Sequence, residues 1–132
     1  IYIRRILDNK IVSEEIKETS GNITWSMDDK FIFYSKLDKF HRPRQIYRHK
    51  IGTSVKDDQL IFEEKSEAFT VGIVLSSDEK YYFINTSDHN TSEQYYFSVE
   101  EKNPKPKLIT KRKRGILNLA FFQIVIVGIV IL

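Results

Sequence analysis

Apolar and polar residues alternate in short runs along most of the chain, and the runs come in fours. Asn22–Trp25 sets Ile23 and Trp25 against polar neighbours, the two-residue period of a half-buried strand. Ser26, Asp28 and Asp29 follow, short polar side chains that bond nearby backbone and tolerate turn dihedrals. Phe31–Ser35 is a compact run of β-formers. Lys36 to Arg44 reads as a charged loop, with Pro43 stopping regular pairing before the next strand. Gln45–Ile51 alternates again, Gly52 and Thr53 turn the chain, and Leu60–Phe62 makes a fourth strand that ends in Glu63 and Glu64.

The same order returns in Thr70–Leu75, Tyr81–Thr86, Gln94–Val99 and Leu108–Thr110. A polar connection, Ser87–Ser92, and a loop bracketed by Pro104 and Pro106 separate the later strands. The hairpin around Trp25–Tyr34 recurs about 50 residues on: Ile23/Ile73, Ser26/Ser76, Asp28/Asp78, Lys30/Lys80 and Phe33/Phe83 are identical pairs. Repeated four-stranded antiparallel units near this length are what propeller blades look like. Upstream, Ile1–Leu7 is expected to be a strand, Asp8–Lys10 a turn, Ile11 and Val12 a short return strand, and Glu14–Gly21 a polar connector. The expected fold is all-β, a partial β-propeller. Residues 1–21 end a preceding blade, 22–66 form one complete blade, 67–110 form a second, and 111–115 form a basic linker to an apolar tail, 116–132. Two blades and a half do not close a ring, so the chain is expected to be part of something longer or a remnant.

The tail breaks the pattern. Ile116 to Leu132 is apolar except at Asn118, Gln123 and Gly128. As a helix it would span roughly 26 Å, slightly short of a ~30 Å hydrocarbon core. Its β-branched residues equally suit a buried strand. A frame-shifted end is the third reading, and membrane anchoring through Ile116–Leu132 is not the favoured one.

Charge narrows the function classes. Lys111, Arg112, Lys113 and Arg114 turn a body of slight negative charge into a chain of net charge +3. The body has no basic surplus to hold a phosphate backbone, so nucleic-acid binding is not expected. With no Cys there are no disulfides and no thiolate metal sites, and a cytoplasmic location is expected. Ile1–Leu7, which holds Arg4 and Arg5, does not read as a signal peptide.

Candidate chemistry is sparse. His41, His49 and His89 lack metal-binding spacing, and His49, between Arg48 and Lys50, reads as a surface or strand-face histidine. No G-x-S-x-G nucleophile elbow, P-loop or G-x-G-x-x-G occurs. The paired acids Glu14-Glu15, Asp28-Asp29, Asp57-Asp58 and Glu100-Glu101 read as solvated turns and strand ends; Glu63-Glu64 is the least trivial pair. Asn22, Asn85 and Asn90 open glycosylation triplets, which carry no weight without a secretory signal. Trp25 and the Phe/Tyr pairs are expected to fill the space between packed blades. No catalytic, cofactor-binding or metal-ligating residue is assigned.

One resemblance goes further. Thr19-Ser-Gly-Asn22, Trp25, Asp28, Phe33-Tyr34, Asp38, Arg42-Pro43, Arg48-His49, Ile51-Gly52-Thr53, Asp58, Leu60, Glu63-Glu64, Phe69 and Val71 fall in a familiar order. That order resembles the oligopeptidase B branch of the prolyl oligopeptidase family of serine peptidases. The segment from Arg42 to Glu64 is the most specific part, whereas Ser-x-Asp-x-Lys hairpins occur in many propellers. The resemblance implies a seven-bladed propeller over an α/β-hydrolase domain, which holds the catalytic Ser, Asp and His. It also implies cleavage of short peptides after Arg or Lys, with the propeller gating access. Nothing in this chain matches the catalytic motifs, so the chain alone is expected to be inactive. The partners implied are a peptide substrate and the hydrolase domain of the intact enzyme. Beyond Gly115 the resemblance stops. The alternative is a membrane-tethered, non-enzymatic β-module that binds a protein partner through its strand edges.

Overall fold

The computed structural model describes residues 1–113. Eight strands form two four-stranded antiparallel sheets, each a simple up-and-down meander. A short pair, β1 (Arg4–Arg5) and β2 (Lys10–Ile11), precedes them. The first blade is β3 (Thr19–Trp25), β4 (Phe31–Leu37), β5 (Pro43–Lys50) and β6 (Gln59–Glu63). The second is β7 (Thr70–Leu75), β8 (Tyr81–Ser87), β9 (Ser92–Ser98) and β10 (Lys107–Thr110). This is the all-β partial propeller that the alternating pattern predicts. The readings of 116–132 lie outside the described residues.

Three local differences have physical causes. The Ile1–Leu7 strand pairs only at Arg4 and Arg5, because Ile6 and Leu7 sit at an exposed tip. Thr19–Gly21, expected as connector, opens β3. Its register with β4 shifts between Thr19 and Ile23, and Gly21 takes a positive φ of 88°, which a side chain would resist. Pro43 does not delay β5 but begins it, opposite Leu37; a first strand position is one of the few that tolerates a missing N–H.

Strand β4 shows how the period of two builds both interfaces. Phe33 faces the second blade, in a cluster with Ile46 and Ile61 of its own sheet and Val71, Tyr82, Ile84 and Phe97 of the other. Its ring centroid is 4.8 Å from that of Tyr82 and 5.6 Å from that of Phe97. Ile32 and Tyr34 point the other way, onto Ile3 and Ile16 of the leading segment. Hydroxyls stitch the blades across this contact: Thr24 donates to the Ile73 carbonyl (3.1 Å), Ser35 to Val71 (3.3 Å) and Tyr82 to Trp25 (3.1 Å). Trp25 itself departs from expectation. The residue is 41% exposed, and the inter-blade space is filled by Phe33, Tyr82 and Phe97 instead.

Candidate functional site

The two Ser-x-Asp-x-Lys hairpins close in the same way. Ser26 donates to Asp28 (2.7 Å) and accepts the Phe31 amide (2.9 Å); Ser76 donates to Asp78 (2.6 Å) and accepts the Tyr81 amide (3.0 Å). The amides of Lys30 and Lys80 each reach the nearby Asp at 3.2 Å. Asp29 and Glu79 hold the left-handed turn position, with φ of 58° and 59°. Hydrogen bonds from Ser26 and Ser76 hold the Asp28 and Asp78 carboxyls below the usual carboxylate range. These turns carry architecture, since the serine and aspartate side chains bond each other and the local backbone.

A buried polar network lies beneath the leading segment. His49 is not a surface histidine but wholly enclosed. It follows from pairing: His49 on β5 sits opposite Ile32 on β4, whose side the leading segment covers. Its Nδ1 lies 2.6 Å from Asp58 Oδ1, and the Tyr34 hydroxyl donates to Asp58 Oδ2 at 2.8 Å. Burial first, then the hydrogen bond to Asp58, pushes the Tyr34 phenol far above its ordinary value. A carboxylate that orients an imidazole is two-thirds of a hydrolytic triad. Here the third part is lacking: His49 Nε2 is buried with no hydrogen-bond partner among the described residues. The Tyr34 hydroxyl is bonded to Asp58, not to the imidazole, and His49 is wholly buried. It anchors the turn Val55–Asp57 and the start of β6 to the sheet.

The second cluster joins the blades. Glu64, just past β6, is buried, whereas its neighbour Glu63 is exposed and accepts from Gln45 at 2.8 Å. Glu64 accepts from the Ser66 amide (2.8 Å), from Arg112 Nη2 (2.8 Å) and from the Thr86 hydroxyl of β8. Arg112 Nε also donates to Glu93 of β9, and the guanidinium stands 4.1 Å from the Phe69 ring centroid. Arg44 grips the Glu64 carbonyl through Nε (2.9 Å) and Nη2 (2.5 Å). Burial alone would raise the Glu64 carboxyl, but donation from Thr86, Ser66 and Arg112 outweighs it and holds the group below its ordinary value. For Arg112 the same contest of burial against Glu93 and Glu64 ends in a raised value. Sequence reasoning singled out Glu64 and missed Arg112, which it placed in the basic linker. Among the described residues no group of three or more His, Asp or Glu is arranged to hold a metal ion. His41 and His89 lie exposed in the β4–β5 and β8–β9 turns.

Residues 1–120 match the family described as the prolyl oligopeptidase, N-terminal β-propeller domain. The chain belongs to this family. Among curated relatives, Protease 2 of Moraxella lacunata is 33% identical over 119 residues, which cover 89% of this chain and 17% of that protein. The chain therefore spans about a sixth of the length of that relative. Oligopeptidase B from Leishmania major superposes with a TM-score of 0.80 at 22% identity, covering 85% of this chain and 16% of that one. Oligopeptidase B from Trypanosoma brucei, in a closed form with covalently bound antipain, gives 0.73 at 24% identity, covering 77% and 15%. Both structures share the blade architecture described above.

Proposed function

We propose that these blades are part of the propeller of an oligopeptidase B-like serine peptidase, a cytoplasmic enzyme that cleaves short peptides after Arg or Lys. The propeller would gate substrate access, and a companion hydrolase domain would supply the nucleophile, the base and its orienting acid. The observation that carries this reading is the 33% identity to Protease 2, together with the family match over residues 1–120. The blade geometry supports it too. Among the described residues, the buried Asp58 and Glu64 carboxylates hold strands and blades together.

A chimaera tests the gate. Residues 19–110 replace the matching blades of Moraxella lacunata Protease 2, and the product is assayed with Arg-, Lys- and Ala-arylamides and with a folded protein substrate. The expected result is turnover of the Arg and Lys arylamides and no cleavage of the folded protein. A folded, active chimaera that digests the folded protein would show that these blades do not gate. Preference for the Ala arylamide would count against the specificity. The free chain should hydrolyse neither Arg nor Lys esters.

A further inference from the structure

The second blade has two faces, and the strand register separates them. On β8, Tyr82 and Ile84 point into the cluster shared with the first blade. Phe83, between them, points the other way, because successive strand residues alternate. Its cross-strand partners Val74 and Tyr96 share that face. So does Tyr81, whose ring meets that of Tyr96 edge-on at 5.8 Å. This outward face is apolar, and it is unevenly covered. Val74 and Tyr81 are 42% and 39% exposed, whereas Phe83, at the centre of the face, is 4% exposed. Phe83 turns away from the first blade, so its cover comes from the other side of the sheet.

The first blade shows how the chain covers such a face. Strand β6 ends at Glu63, residues 64–69 cross the end of the sheet, and β7 begins at Thr70 with Val71 packed in the cluster of Phe33 and Ile46. The same step from the end of β10 at Thr110 ends at Ile116. That is where the polar sequence gives way to the apolar run 116–132. The start of the step is fixed as well. Arg112, held by Glu64 and Glu93, keeps the chain at the end of the blade where β9 begins. From there residues 113–115, extended at ~3.3 Å each, reach roughly 10 Å, twice the ~4.8 Å between neighbouring strands.

We propose that residues 116–132 of this same chain cover the outward face of the second blade, with their apolar side chains seated on Val74, Phe83 and Tyr96. The run holds no Lys, Arg, Asp or Glu, so laying it on these residues buries no uncompensated charge. Placed there, it withdraws the apolar face from water and from a second molecule. The inference goes beyond the peptidase reading and does not depend on a hydrolase domain being present.

The test is photo-crosslinking on the full 132-residue chain, which has no Cys of its own. Val74→Cys carries a maleimide-linked benzophenone, and Ile11→Cys, on the exposed leading segment, carries the same probe as control. Both positions are exposed, so both variants should keep the native circular dichroism spectrum. Isotope-labelled and unlabelled chains are mixed before illumination, and the linked peptides are read by mass spectrometry. The probe at position 74 should link to peptides from 116–132 within one molecule, and the probe at position 11 should not. Phosphatidylcholine vesicles added before illumination should leave those links in place. The proposal is overturned if position 74 links to no peptide from 116–132, or if its links join labelled to unlabelled chains, which would assign the face to a second copy. It is also overturned if position 11 gives the same links, or if vesicles abolish them, which would assign the run to lipid.

Discussion

Arg112 Nη2 lies 2.8 Å from Oε2 of Glu64, a residue 48 positions earlier that belongs to the other blade. The same guanidinium also takes Glu93, so one cation neutralises two buried carboxylates. Its removal leaves both without compensation. Fully buried pairs lose roughly 3–5 kcal/mol when one partner is deleted. Because the Arg112 side chain is 29% exposed, Arg112→Met should cost about 2 kcal/mol. Urea melts of the chain measure this loss. Adding Glu64→Gln and Glu93→Gln to the variant should restore part of it, because the uncompensated charges go too.

That pair also sets an acid dependence. The Glu64 carboxyl is held below its ordinary value of 4.5 in the fold and returns to it on unfolding. The unfolded chain therefore binds the proton first as pH falls. The contribution is complete above 4.5 and is lost as pH drops through the lower folded value. Urea midpoints of the native chain should fall between about pH 5 and pH 3. Arg112→Met should show a smaller fall, since it loses one of the donors that depress the carboxyl. A variant with an unchanged slope would remove Arg112 from the explanation.

Tyr34 and Asp58 predict the alkaline side. Burial and the Asp58 hydrogen bond raise the Tyr34 phenol in the fold, so the unfolded state loses its proton first as pH rises. Stability present below about pH 10 should then decline above it. Tyr95, pushed up to about 12 by burial and by its hydrogen bond to Glu93, adds to the same trend. Ultraviolet titration should show these two phenols ionising only as the circular dichroism signal is lost. Tyr34→Phe should flatten the decline at a cost of about 1 kcal/mol near neutral pH. Asp58→Ala, which strips both Tyr34 and His49 of their partner, should cost about 3 kcal/mol.

Local signals were readable in the chain and remote ones were not. The Ser26 and Ser76 turns are written within a few residues, so the repeat exposed both hairpins and the antiparallel blades that they close. The Arg42–Glu64 order pointed to the family. His49 looked exposed because its flanks, Arg48 and Lys50, are charged. Its burial depends on which face of β5 the leading segment covers, and that is a tertiary fact. Arg112 looked like one charge among four because its two carboxylate partners lie far back in the sequence. The break in β3 register between Thr19 and Ile23 was hidden for a related reason: this polar stretch joins the strand through the Thr19 backbone, opposite Lys36, which leaves no hydrophobic period. Trp25 misled because its size suggested a core position, yet it ends β3 at the exposed tip of a hairpin.

The hairpin serines should differ in weight although their bonds match. Ser76 is buried, and Ser26 is half-buried. Alanine at either position removes the acceptor of the next strand's first amide, Phe31 or Tyr81. Water can replace the bond at the more open site but less readily at the buried one. Ser26→Ala should therefore cost about 1 kcal/mol and Ser76→Ala about 2 kcal/mol. Thermal melts of the two single variants decide the order, and equal losses would mean that the two turns are solvated alike.

Neighbouring residues on β4 allow the two interfaces to be tested apart. Phe33 is packed against Tyr82 and Phe97 of the second blade, and Ile32 against Ile3 and Ile16. Both are buried, so each alanine variant should lose several kcal/mol, about 4 for Phe33→Ala and about 3 for Ile32→Ala. The place of the damage should differ. Phe33→Ala should speed amide exchange in β7 and β8, because the contact that holds the blades together is thinned. Ile32→Ala should speed exchange at Val12 and Ile16, whose amides bond Ile3 and Ile1, and leave β7 and β8 protected. Uniform exchange in both variants would mean that the leading segment and the two blades unfold as one cooperative unit, with no separable seam at β4.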